Sequence, residues 1–254
     1  MTENKFPTEI VELASRGWFY DKDNLLSSGV IELQYMTAMH EDILTSTNLI
    51  QKGVVIERLL QALIVDKKIS YDSLLIGDKN AIIVASRILG YGKEYMVKVT
   101  CANCGTVNNT TVDLTQLDFK TIPEPAEKNV NLFTFTLPTS NRVLTYRLLT
   151  QADEDSIDED VEKQLVIDSD VDKTLTTRLK YIIVSVDGDE SKVVIRKFVD
   201  SEFLARDSRA FRQHYQENSP DVDFTIMHKC KKCSDERKIR VPIGPDFFWP
   251  DSAI

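Results

Sequence analysis

Cys101-Ala102-Asn103-Cys104 and Cys230-Lys231-Lys232-Cys233 decide the reading of this chain. They hold all 4 cysteines of the 254 residues, as two C-x-x-C pairs with none left over. A lone C-x-x-C is ambiguous, whereas two complete pairs point to one shared metal site. Tetrahedral zinc takes four thiolates at about 2.3 Å, and a C-x-x-C turn offers two of them from one tight loop. The expected ligands are therefore Cys101, Cys104, Cys230 and Cys233, and the expected cofactor is a structural Zn2+. Four thiolates close the coordination shell and leave no open position for water or substrate.

The flanks of both pairs read as strands. Tyr95–Thr100 and Thr110–Leu114 bracket the first, and Phe224–Met227 and Lys238–Val241 bracket the second. Strand, cysteine turn, strand, twice over, is the layout of a zinc ribbon. Two disulfides would need an oxidising compartment, and the first residues, Met1–Pro7, show no apolar signal core. A thioredoxin-like redox pair belongs where a strand meets a helix, and neither pair lies there. Four unrelated buried thiols would not fall into such pairs. Residues 105–229 are far more than a compact ribbon needs, so a folded unit is expected inside it. Zinc would then staple remote parts of the chain, and its binding free energy would be largely folding free energy.

The predicted fold class is α+β, organised around a zinc ribbon with four cysteine ligands. A mainly helical region with one early strand occupies 1–94, and the split ribbon occupies 95–114 and 224–243. A β-hairpin plus helices fills 115–223 between the two knuckles, and an aromatic tail closes the chain over 244–254. A hydrophobic content of 42% supports a real core, and the net charge of −9 argues against nucleic acid as the main partner. No apolar run approaches the roughly 20 residues of a membrane span. These features together predict folding in a reducing cytoplasm.

Residues 1–28 look irregular and carry the cluster Trp18-Phe19-Tyr20. A strand is predicted over Gly29–Met36, then a helix capped by Thr37, then helices over Val54–Ile64 and Asp78–Leu89 with glycine stops at Gly90 and Gly92. Alternation over Asn131–Leu137 and Arg142–Leu148 predicts a hairpin. Thr150 caps a further helix inside the acidic stretch 150–172, where ten carboxylates face one Lys163; without calcium-loop spacing it reads as a solvated acidic face. Leu175, Leu179, Ile182, Ile183 and Val186 form one apolar stripe, which predicts a single helix over Thr174–Val186. Phe247-Phe248-Trp249 in the tail are costly to expose. Trp18, Phe19 and Tyr20, like Phe247, Phe248 and Trp249, are candidates either for packing onto the core or for binding a partner.

The order of these pieces resembles the baseplate hub proteins of T-even-like contractile-tailed phages. The likeness runs through Gly17–Tyr20, Met36-Thr37-Ala38, Glu41–Ser46, Gly77-Asp78 and Tyr91-Gly92. It continues through Leu137-Pro138, Arg147–Thr150, Ser185–Gly188, the second cysteine pair and Phe247–Pro250. A proline expected near Ala14 is missing. The resemblance implies a structural or assembly role in a viral tail baseplate, contacts with other hub or tail proteins and no enzymatic activity. It implies residence in the host cytoplasm during assembly, or in the virion itself. The alternative is a nucleic-acid-binding zinc ribbon, because the second hairpin carries Lys229, Lys231, Lys232, Arg237, Lys238 and Arg240. Against an enzyme stand the lack of any catalytic motif and only 3 histidines: His40 and His214, expected at the surface, and His228 beside the second pair.

Overall fold

The structure is a computed structural model, and it describes residues 7–167, 170–243 and 247–249. Of the tail expected over 244–254, only Phe247, Phe248 and Trp249 therefore fall among the described residues. The chain opens with strand β1 (Thr8–Glu12), paired antiparallel with β2 (Val30–Gln34), Thr8 standing opposite Gln34. The early region thus has two strands where one was expected. The missed strand is short and mostly exposed, so it shows little apolar alternation to read.

Four helices follow: α1 (Ala38–Thr45), α2 (Thr47–Gln51), α3 (Val55–Leu63) and α4 (Ile76–Tyr91). At the start of α1 the Thr37 N–H donates to His40 Nδ1 at 3.0 Å. His40 is therefore a buried capping partner and not a surface residue. α3 buries Val55, Leu59, Leu60 and Leu63, the stripe expected from its spacing. α4 runs through Gly90 and ends at Gly92, where the Arg87 guanidinium donates to the carbonyls of Gly92 and Glu94. Gly77 in its first turn is a packing requirement, since a Cβ there would overlap the Pro220 carbonyl. That close approach seats the segment leading into the second cysteine hairpin against the N-terminal helices.

The first cysteine hairpin is β3 (Glu94–Thr100) with β4 (Val107–Asp113). The inserted segment forms a three-stranded sheet, β5 (Phe133–Thr136), β6 (Val143–Tyr146) and β7 (Ile183–Val186), in the order β5-β6-β7. It is packed by α5 (Gln151–Ile167), α6 (Thr174–Ile182), α7 (Lys192–Lys197) and α8 (Ala205–Asn218), with a π turn over Phe198–Glu202. The single helix expected over 174–186 is divided: it stops at Ile182, and Ile183–Val186 pairs with β6. Three of those four residues are β-branched, and the waiting edge of β6 offers ladder bonds that a helix end cannot. The last hairpin is β8 (Thr225–Lys229) with β9 (Glu236–Arg240).

Three apolar clusters hold the molecule. One joins Tyr95, Val97 and Val112 of the first hairpin, Phe224 and Val241 beside the second, α3, α4 and the tail aromatics. A second lies under β1, β2 and α4 and includes Leu148. The third belongs to the insert, centred on Tyr146, Phe198 and Phe211.

Candidate metal centre

The two cysteine turns are built alike. In the first, the Cys101 N–H donates to Thr106 O (2.9 Å) and the Gly105 N–H donates back to Cys101 O (2.8 Å). In the second, the Cys230 N–H donates to Asp235 O (2.9 Å) and the Ser234 N–H to Cys230 O (3.0 Å). Each turn needs a left-handed residue one place after its second cysteine: Gly105 at φ +68° and Ser234 at φ +58°. This local geometry aims both sulfurs of a turn the same way.

The hairpins then bring the two turns together. Cys101 Sγ lies 3.7 Å from Cys233 Sγ, and Cys104 Sγ lies 3.7 Å from Cys230 Sγ. All four sulfurs lie within 4.8 Å of one another. A regular tetrahedron with metal–sulfur bonds of about 2.3 Å has edges of about 3.8 Å. The spacing suits that arrangement and is far beyond the roughly 2.05 Å of a disulfide. The four cysteines can therefore hold one metal ion between them.

The surroundings favour the thiolate at Cys230 and Cys104 and oppose it at Cys233. The amides of Cys233 and Lys232, with Asn108 behind them, hold the Cys230 thiol down at about 6. Hydrogen bonds from Thr106 lower Cys104, whose Sγ lies 3.3 Å from Thr106 Oγ1. At Cys233 the Asp235 amide is outweighed by burial and the neighbouring sulfurs, which push the thiol up to about 11. Crowded sulfurs resist carrying four negative charges unless a cation sits among them. Asn103 Nδ2 lies 3.7 Å from Cys233 Sγ, and Asn108 Nδ2 lies 3.6 Å from Cys230 Sγ. Neither asparagine stood out in the sequence, because no apolar pattern or motif marks it. His228 is not in the cluster; it is buried, with Nδ1 3.1 Å from Thr110 Oγ1 across the two hairpins.

The aromatic candidates lie elsewhere. Phe19 and Tyr20 are buried in the N-terminal cluster, and Phe247 and Phe248 in the cluster shared with the hairpins. As placed, these four serve the core. Trp18 is half-buried, between the cations of Arg16 (5.0 Å) and Lys128 (5.5 Å). Trp249 is half-buried too, and its Nε1–H donates to Leu44 O at 3.1 Å. Tyr20 O–H donates to Asp78 (2.7 Å), which also accepts from the N–H and Oγ–H of Ser15 (2.7 Å each). Burial pushes the Asp78 carboxyl up, and those hydrogen bonds oppose the rise. His214, expected at the surface, is half-buried with Nε2 2.9 Å from Tyr146 O–H.

Residues 151–167 of the acidic stretch form α5, and part of the charge there is spent inside the chain. Arg147 grips Asp153 with two hydrogen bonds (2.7 and 2.6 Å), and Arg178 grips Glu154 likewise (2.5 Å each). Asp168 lies outside the described residues.

Fold and site together define a mixed α+β protein whose two cysteine hairpins, remote in sequence, meet at a cluster able to bind a metal. The family model described as "T4 bacteriophage base plate protein" matches residues 20–249. The chain belongs to that family: it is a T4-like phage baseplate protein. Neither the curated proteins nor the solved structures contain a match. No described helix is long and apolar enough to cross a membrane.

Proposed function

We propose that this baseplate protein is a non-enzymatic component of the tail hub, acting in structure or assembly through contacts with other hub or tail proteins. One structural Zn2+, held by Cys101, Cys104, Cys230 and Cys233, closes a split zinc ribbon. The region before the first hairpin and the insert between the two are then tied by a single ion. The protein works in the host cytoplasm during assembly and in the tail baseplate of the particle. Trp18 and Trp249 are only half-buried, so aromatic contact with a partner falls to them.

The observation that carries this reading is the meeting of sulfurs from Cys104 and Cys230 at 3.7 Å, across 125 intervening residues, in a chain of the baseplate family. Structural zinc supplies about 10–16 kcal/mol of apparent binding free energy in small metal-folded peptides, more than most domains have to lose. Cys101→Ser and Cys233→Ser are therefore expected to lower zinc content and melting temperature together. Elemental analysis and a thermal melt on the purified variants check this. Unchanged melting with zinc absent from the wild type would overturn the metal assignment.

The nucleic-acid reading rests on the basic face of the second hairpin. Lys229 is paired with Glu236 (2.7 Å), Arg237 with Asp235 (2.6 Å), and Lys231 reaches Asn109 O (3.1 Å). Much of that charge is spent within the chain. A steep salt dependence of DNA or RNA binding would favour this reading over the first.

A further inference from the structure

Asn108 stands on β4, in the first hairpin, yet its contacts lie on both sides of the metal centre. It is buried. Its Nδ2 donates to Thr106 O at 3.0 Å within its own hairpin and lies 3.6 Å from Cys230 Sγ in the other. Its Oδ1 accepts from the Lys231 N–H at 2.9 Å, inside the second cysteine turn. One side chain therefore touches a sulfur ligand and the backbone of the turn that presents it. Holding the Lys231 amide also fixes the turn between Cys230 and Cys233 at its first peptide after Cys230.

We infer that Asn108 is the positioning residue of this centre. It latches the second cysteine turn onto the first hairpin before any metal arrives, and it sets the hydrogen bonding of Cys230. The inference rests on the metal reading above for its second half only. The latch is a protein–protein hydrogen bond and exists without an ion. The second half follows from the rule that groups orienting a metal ligand from behind are worth about 10–100-fold in metal affinity.

Asn108→Ala removes both functions. Asn108→Asp keeps an acceptor for the Lys231 amide, loses the N–H···S contact and adds a negative charge beside the thiolates. Thr110→Ala is the control, because it cuts a different contact between the hairpins, to His228, without touching a sulfur. Zinc affinity by chelator competition is expected to fall about 10–100-fold in Asn108→Ala. The charge-transfer bands of the cobalt-substituted protein should shift in both Asn108 variants and stay unchanged in Thr110→Ala.

Hydrogen exchange on metal-free protein tests the latch itself. The Lys231 amide should exchange faster in Asn108→Ala than in the wild type, and be largely protected again in Asn108→Asp. If Asn108→Ala does not fold, Asn108→Asp still reports, through its cobalt spectrum and the exchange of its Lys231 amide. Zinc affinity and cobalt bands that move no more than in Thr110→Ala would reduce Asn108 to ordinary packing and overturn the inference. So would equal Lys231 exchange in wild type and Asn108→Ala, whether or not the protein binds zinc. A wild type that binds no zinc but shows the Lys231 difference would sink the metal reading and leave the latch standing.

Discussion

Ser234 and Gly105 occupy the same place in their two turns, and only one of them suits it. A left-handed backbone costs a residue with a Cβ about 1–2 kcal/mol, and glycine pays almost none of it. Ser234→Gly should therefore raise stability, by somewhat less than that range because glycine also gains freedom in the unfolded chain. A higher denaturant midpoint with an unchanged slope is the result to look for. Tyr20 gives a second test at this scale. Its hydroxyl donates to Asp78 and accepts the Leu75 N–H at 2.9 Å, so Tyr20→Phe leaves the Leu75 N–H unpaired in the core and takes one donor from Asp78, which keeps those of Ser15. The expected cost is about 1–3 kcal/mol. A partner-binding role would instead leave the isolated protein's stability unchanged. The cysteines were legible because two C-x-x-C pairs are a rare pattern. The Asp78 network and Asn108 were not, because a buried hydrogen-bond partner far away in sequence leaves no local trace.

Helices and hairpins with one buried face could be read from their period, and α3, β5 and β6 lie close to where the pattern puts them. Elements decided by a neighbour could not. β7 is a strand because β6 needed a partner, although its residues continue a helical stripe. α8 shows the same dependence from the other side. Asp207 in its first turn is buried and accepts from the N–H groups of Thr139 (2.8 Å) and Ser140 (3.0 Å), at the tip of the β5–β6 hairpin. Burial alone would raise that carboxyl, but the hydrogen bonds from Ser140 and Thr139 hold it below the usual carboxylate range. A depressed folded pKa stabilises above the unfolded value, near 3.9, and the benefit disappears as the pH falls through the folded value. Asp207→Asn should therefore melt lower than the wild type at pH 7. The gap should narrow as the pH is lowered from 4 toward 2, in melts taken across that range. A gap constant with pH would mean that Asp207 carries no charge-dependent share of the hairpin's anchoring.

At the scale of the whole molecule, the three apolar clusters would divide the consequences of losing an ion from the cysteine cluster. The cluster containing the inner faces of both cysteine hairpins also contains Phe247 and Phe248, and Tyr95 O–H donates to Pro242 O at 3.1 Å. Phe247 and Phe248 thus share one cluster with both hairpins and with α3 and α4. The insert's cluster draws on β5, β6, β7 and α5 through α8, with no residue from either cysteine hairpin. An ion that clips the hairpins should hold the first cluster directly and the third hardly at all. Chelation is therefore expected to speed hydrogen exchange in 94–113, in 225–240 and at 247–249, while 133–146 and 205–218 keep their protection. Exchange measured by mass spectrometry with and without chelator, on the intact protein, separates these segments. A single cooperative loss everywhere would mean that the insert has no independent core. Full protection of the hairpins after the metal is gone would mean that apolar packing and the Asn108 contacts suffice, and that the ion is not what closes this fold.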